Sequence, residues 1–359
     1  MKRFITMIMA IALCTLGSQA QQFKVTRDTI HIDAGLFGET PKMNIHLRAA
    51  DSREELYLLM RHSVSKNGHS KSNFLCIDKN SHTVRNIDLP DSLYAYGNLF
   101  MRHDSLILKM ENFHTDDMWH YEQACEDHDQ EEMEKIWNYT LDTCTDQWIP
   151  VKSVNDLIYE DNQYKVYYWH CGEWGSYHVF QETKNGKRHL FTSSGRLLKY
   201  NGNYYRVSLF SICKIDNPRK GKVYHRKKYY ELKKKDYSTP QRILQLPYNK
   251  IGFEITKEFL LNDPRTYICT AFIHDDKFYC IMRSPEGLYI ASYQDGVLHK
   301  EMDLGCNYNR RYWQGFQLQE NNHPNNQAFF EFIDAKEDNP VILTVEGANI
   351  HIWYLSIEN

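Results

Sequence analysis

The feature that most restricts this chain is a recurring pair: a polar corner built on Asn or Asp, followed by a short apolar and aromatic run. It occurs at Asp104-Ser105 before Leu106-Ile107-Leu108, and at Asn162-Gln163 before Tyr164 to Trp169. It returns at Asn203 before Tyr204 to Phe210, at Asp276-Lys277 before Phe278 to Met282, and at Asn326-Gln327 before Ala328 to Ile333. Asn and Asp suit such corners because they tolerate left-handed backbone and bond to nearby amides. The runs between them read as strands, and a chain with 25 Tyr, 17 Phe and 7 Trp has the aromatic content that strands prefer.

The segments around these corners share one plan. An apolar stretch leads in, the corner follows, and a strong strand and one or two weaker ones complete the unit. The clearest copy runs from Leu157-Ile158-Tyr159 through Tyr164–His170 and Tyr177–Gln181 to His189–Thr192. A second uses Tyr267–Ile273, Phe278–Arg283, Leu288–Tyr293 and Val297–Met302, and a third uses Tyr312–Leu318, Ala328–Ile333, Val341–Val345 and Ile350–Leu355. An early copy takes Asn44–Arg48, Leu56–Arg61, Phe74–Ile77 and Val84–Ile87. Four strands per unit, repeated, is the pattern of propeller blades. The count gives an all-β fold, a β-propeller of six blades, with a seventh as runner-up in the interval between Val223 and Leu261. Two stacked β-sandwiches are the structural alternative. Closure requires a paired edge, and Thr29-Ile30-His31-Ile32-Asp33 is placed to join the last blade beside Ile350–Leu355.

This plan resembles that of secreted bacterial β-propeller proteins across nearly all of the chain beyond residue 20. The resemblance is one of architecture. Trp-Asp blade endings, double-Gly kelch motifs, Tyr-Trp-Thr-Asp repeats and sialidase boxes are all absent from the sequence, so it implies no functional residues.

The N-terminus reads as a cleavable leader over residues 1–20, followed by one propeller domain over 21–359. Lys2 and Arg3 precede a short apolar stretch from Phe4 to Leu16, and Gly17-Ser18-Gln19-Ala20 places small residues at a cut before Gln21. A bilayer-spanning helix needs about 20 apolar residues, more than this stretch supplies, and no later segment reads as a membrane span. Lipidation at Cys14 is the weaker alternative, because Leu13 stands where a small residue is expected. The leader points to a periplasmic or extracellular location. A net charge of −3 does not suggest a nucleic-acid partner.

Eight cysteines lie beyond the leader, most inside strand-like runs where a buried thiol is an ordinary core residue. Cys125 and Cys144 could tie the base of an acidic insertion. Cys269 and Cys280 would face each other across a hairpin turning at His274-Asp275, whereas a turn at Asp275-Asp276 pairs Cys280 with Ala271.

Four features carry possible chemistry. The acidic insertion from Asp116 to Trp137 reads as a short solvated helix rather than a calcium lid, since it lacks the calcium-loop spacing. His114, Asp116, Asp117, His120 and His128 lie there too, but nothing in their spacing selects a metal site, and no motif calls for a cofactor. From Lys214 to Lys235 the chain carries ten Lys or Arg residues interleaved with Tyr224, Tyr229 and Tyr230. Within that stretch, Arg226, Lys227, Tyr229 and Tyr230 could bind an anionic glycan, with cations pairing its carboxylates or sulfates and rings stacking on sugars. The plainer reading is an outer strand kept unpaired by lysines. Trp174, framed by Gly172 and Gly175, and Arg310, Arg311 and Trp313 form two further aromatic loops that suit a sugar or peptide. Neither a hydrolase elbow nor a selected carboxylate pair is present.

These features favour an exported binding or interaction module whose partner is a glycan or a cell-envelope protein. A glycan-degrading enzyme on the same fold is the alternative, and a structural envelope component is the third option.

Overall fold

The computed structural model describes residues 23–37, 46–63, 70–90, 95–102, 105–112, 137–151, 157–170, 176–193, 195–223, 237–246, 266–306, 308–309, 327–334 and 339–358. Six separate sheets account for all of its described strands, and each is built around a meander of neighbouring strands, with strands from elsewhere in the sequence joining the edges of three of them. Blade one contains His46–Asp51, Glu55–Ser63, Ser70–Asp78 and Val84–Ile87; blade two contains Ala95–Arg102, Ser105–Asn112, Trp137–Asp142 and Gln147–Val151. Blade three contains Leu157–Glu160, Tyr164–His170, Ser176–Glu182 and Arg188–Ser193, and blade four contains Arg196–Tyr200, Asn203–Ser208, Ser211–Ile215 and Gln241–Gln245. Blade five is Tyr267–His274, Lys277–Ser284, Gly287–Gln294 and Val297–Asp303. Blade six opens with the short strand Tyr308–Asn309 and continues through Gln327–Asp334, Pro340–Glu346 and Asn349–Glu358.

This is the six-bladed propeller that the strand pattern predicts. The interval after Val223 supplies the outer strand of blade four, Gln241–Gln245, and no seventh sheet forms among the described residues. In blade six the inner strand is Tyr308–Asn309, whereas the sequence points to Tyr312–Leu318, which lies outside the described residues. The acidic insertion lies outside them as well, up to the start of the Trp137–Asp142 strand, and the described helical elements are short 3-10 turns.

Turn chemistry sets the registers. The hairpins at Asn201-Gly202, Asp275-Asp276 and Asp295-Gly296 hold both central residues at positive φ, as a tight turn matched to strand twist requires. With the turn at Asp275-Asp276, Cys280 pairs with Ala271, and both Cys269 and Cys280 are free thiols. Cys144 is free too, while Cys125 lies outside the described residues.

The ring closes through β1 (Lys24–Asp33). It lies parallel to Asn349–Glu358 along its whole length, with Ile30 opposite Leu355 and Ile32 opposite Ile357. The predicted closing segment is thus in place, as a fifth strand added outside a complete blade. Its two faces feed two cores. Ile30 and Ile32 join Leu47, Leu58, Trp353 and Leu355 in the seam between blades six and one. Phe23 enters the seam between blades five and six, edge-on to Phe272 and Tyr279. Elsewhere too the cores lie in the seams between blades, as when Tyr204 meets Tyr164 and Phe180 between blades three and four.

Because strands alternate in direction, the first and third turns of every blade fall at one end of the ring, and the second turns and blade-to-blade links fall at the other. At the first end, polar bridges tie neighbouring blades. The Asp161 carboxylate takes hydrogen bonds from the Lys199 ammonium at 2.5 Å and the Tyr204 hydroxyl at 2.7 Å, joining blade three to blade four. Arg85 pairs with both Glu55 and Asp146, joining blade one to blade two. Asp51, beside blade six, pairs with Lys79, yet burial and the nearby Glu346 push its carboxyl up to about 6. A carboxyl raised in the folded state favours the protonated form, so stability should increase as pH falls from about 7 toward 4. Asp51→Asn is expected to flatten that slope in thermal melts over the same range.

Candidate functional site

The described residues nearest to the basic stretch form the outer rim of blade three. After Ile215 the chain leaves blade four through a 3-10 turn, Pro218–Lys220, whose start is capped by Asn217 accepting from the Arg219 amide at 3.0 Å. It then crosses to blade three, where Lys222–Val223 adds a fifth strand, with Lys222 opposite Leu190 and Val223 opposite His189. Beyond residues 224–236 the chain returns to the same edge. There the Ser238 amide donates to the Leu190 carbonyl and the Thr192 amide donates to the Ser238 carbonyl, both at 2.9 Å. The Tyr237 ring packs 5.1 Å from that of Tyr177. This strap occupies a blade edge that would otherwise offer free backbone groups to another chain.

A buried polar cluster pins the strap. Glu182 and His189, both under 6% exposed, meet at 3.0 Å through Glu182 Oε1 and His189 Nε2. The other carboxylate oxygen of Glu182 accepts from Arg219 Nε at 3.1 Å and from Asn185 Nδ2 at 3.3 Å. His189 Nδ1 lies 3.2 Å from the Gly221 carbonyl oxygen. These hydrogen bonds, led by that from His189, hold the Glu182 carboxyl below its ordinary range, so it stays ionised. Gly221 is required by contact: a Cβ there would stand 2.5 Å from the Phe191 ring and 2.9 Å from the Pro218 carbonyl oxygen.

The outcome is a cationic surface. Lys184, Lys187 and Arg188 on the turn after Glu182, and Arg219, Lys220 and Lys222 on the strap, are all exposed. Glu182 lies beneath them with both oxygens engaged. Lys214, at the foot of the strap, is paired with Asp216 at 2.8 Å. Six cations over one buried carboxylate attract anions by summed potential rather than by any single contact.

The predicted residues Arg226, Lys227, Tyr229 and Tyr230 lie outside the described residues, but Val223 and Tyr237, which flank their segment, are both seated on this rim. Trp174, Arg310, Arg311 and Trp313 also lie outside them. The strand ends that flank Trp174, His170 and Ser176, are at the opposite end of blade three from the Glu182–Arg188 turn. Lys184, Lys187 and Arg188 are absent from the sequence expectation, although Lys184-Asn185-Gly186-Lys187-Arg188 is legible there as a basic turn.

Two other places were candidates for chemistry. On the inner strand of blade four, the buried Arg196 donates to the Gln327 carbonyl of blade six, and burial pulls its guanidinium down to about 10. Blades four and six are not neighbours, so this bond crosses the ring's interior. From blade six the Glu331 carboxylate accepts the Ala49 amide of blade one at 2.6 Å. Both contacts link blades. In blade three Ser193 Oγ and His178 Nε2 are 2.7 Å apart, the spacing of a nucleophile and its base. His178 is fully buried, which drives its pKa down to about 3, so it is too weak a base to activate a serine near neutral pH. Among the described residues no three His, Cys, Asp or Glu side chains are placed to hold a metal ion, and no helix is long and apolar enough to cross a membrane.

No protein-family model matches this chain, and no curated protein matches it. Solved structures align with it only at low similarity. A GH43_1 enzyme from Xanthomonas citri aligns at 10% identity and a TM-score of 0.33, covering 75% of this chain and 94% of that one. The β-propeller domain of the Trilobed protease from Pyrococcus furiosus, described as having an open velcro topology, aligns at 11% identity and a TM-score of 0.34, covering 84% and 96%. Likeness at this level carries no residue or activity across.

Proposed function

We propose that this chain is an exported binding module that takes anionic carbohydrate on the outer rim of blade three. The observation that carries this reading is the exposed set Lys184, Lys187, Arg188, Arg219, Lys220 and Lys222, with Glu182 already engaged from below. The sequence places further cations and the rings of Tyr224, Tyr229 and Tyr230 between the two points where the strap meets this rim. Uronate or sulfate groups would pair with the cations while sugar faces stack on tyrosine rings. Export follows from the leader pattern at residues 1–20, and it would put the rim where envelope and extracellular polysaccharides are met.

A glycan array probed with the purified chain tests this. Sulfated and uronate-rich glycans should bind, neutral glycans of the same length should not, and 0.5 M NaCl should abolish the signal as the screening length falls. Equal binding of neutral glycans, salt-insensitive capture of an envelope protein, or turnover of any glycan would each contradict the reading.

A further inference from the structure

His189 has an acceptor on each side. Nε2 faces the Glu182 carboxylate at 3.0 Å and Nδ1 faces the Gly221 carbonyl at 3.2 Å. A neutral imidazole carries one N–H and can serve only one of them, whereas imidazolium carries two and serves both. In the neutral form the charged carboxylate takes the single N–H, and a nitrogen lone pair is left against the Gly221 carbonyl oxygen inside the protein. We infer that protonation of His189 clamps the strap onto blade three, so that the cationic rim is held firmly in mild acid and loosened as pH rises. This regulates the site proposed above and rests on that reading for its effect on ligand, but not for its effect on the strap.

The charged and titratable groups around His189 agree with this direction. Glu182, at the end of the strand paired with that of His189, sets its carboxylate against Nε2. Arg219, from the strap, opposes it only through the far oxygen of the same carboxylate, at 3.1 Å from Nε. Tyr164, from the adjoining strand, interacts with both Glu182 and Arg219, and burial raises its phenol, so it stays neutral. Asn185 and the strap residues opposite His189 are uncharged or face solvent. Because Glu182 is held below its ordinary 4.5, its share of the clamp is present above that value and is lost in stronger acid. Gly221 is where the change is felt, since its carbonyl is the group that His189 Nδ1 faces.

Hydrogen exchange on the full chain, read for residues 218–223 and corrected for the intrinsic pH dependence of exchange, tests the clamp. Protection should fall roughly tenfold between pH 5.5 and 8.5, the scale of one hydrogen bond to a charged group. His189→Gln should have a flat profile, and if that variant fails to fold, Glu182→Gln should show the same flatness. A flat wild-type profile, or an unchanged slope in the variants, would overturn the inference. The same samples titrated with heparin separate the two readings. Loss of heparin binding at every pH with the strap profile intact sinks the proposed function alone. Heparin binding that ignores pH beside a flat strap profile sinks this inference alone.

Discussion

Deleting residues 21–33 is expected to leave a chain that no longer unfolds in one cooperative step and that associates at micromolar concentration. The deletion removes ten register pairs with Asn349–Glu358 and uncovers two seams at once. Phe23, Ile30 and Ile32 are each essentially fully buried, and burial of such side chains contributes about 1.5–3 kcal/mol apiece. Together they supply on the order of 5–9 kcal/mol, comparable to the whole stability of a typical domain. The deletion would also expose the edge of Asn349–Glu358, a strand with Ile350, Ile352 and Leu355 buried along it, and such edges recruit other chains. A milder change keeps the question quantitative. Ile30→Ala should cost about 2–5 kcal/mol in denaturant melts, while Thr29→Ala, at an exposed position one residue earlier, should cost little. If Ile30→Ala melts like wild type, β1 is not what closes the ring.

The second large effect is on binding. Replacing Lys184, Lys187, Arg188 and Lys222 by serine removes four exposed cations without touching the Glu182–His189–Arg219 cluster that seats the strap. Single exposed charges contribute little, so the loss should build up across the set and reach roughly tenfold to a hundredfold for a sulfated polysaccharide. The salt dependence should shrink with it, because fewer counter-charges are engaged. The melting temperature should stay within a few degrees of wild type, since surface substitutions away from packed or networked groups change stability little. Calorimetric titration at two salt concentrations measures both quantities. Unchanged affinity in the four-serine variant would remove the rim from the account.

What was legible in the sequence was local. Asn and Asp at the corners announce tight turns: of the corners named from the sequence, Asp276 has positive φ, while Asn162 and Asn203 do not and positive φ before Asn203 falls on Asn201 and Gly202. The closing strand was legible because Ile30 and Ile32 alternate with His31 and Asp33, the pattern of a strand with one buried face. Its parallel direction was not, because alternation is the same in either direction. The rim was hardest to see. Its cations come from a turn in blade three and from a strap that leaves blade four, and only pairing between Leu190 and Lys222 brings the two together. The basic run from Lys214 to Lys235 announced positive charge, but nothing in it revealed that Glu182 and His189, in an earlier blade, hold its first part in place.

The most direct test is a lysine footprint. The chain is acylated with a water-soluble ester, alone and with saturating heparin, and each lysine is read by mass spectrometry. Heparin should suppress labelling of Lys184, Lys187, Lys220 and Lys222 several-fold while Lys277 and Lys300, on blade five, react as before. Suppression at Lys277 and Lys300 with the blade-three lysines unchanged would contradict the account.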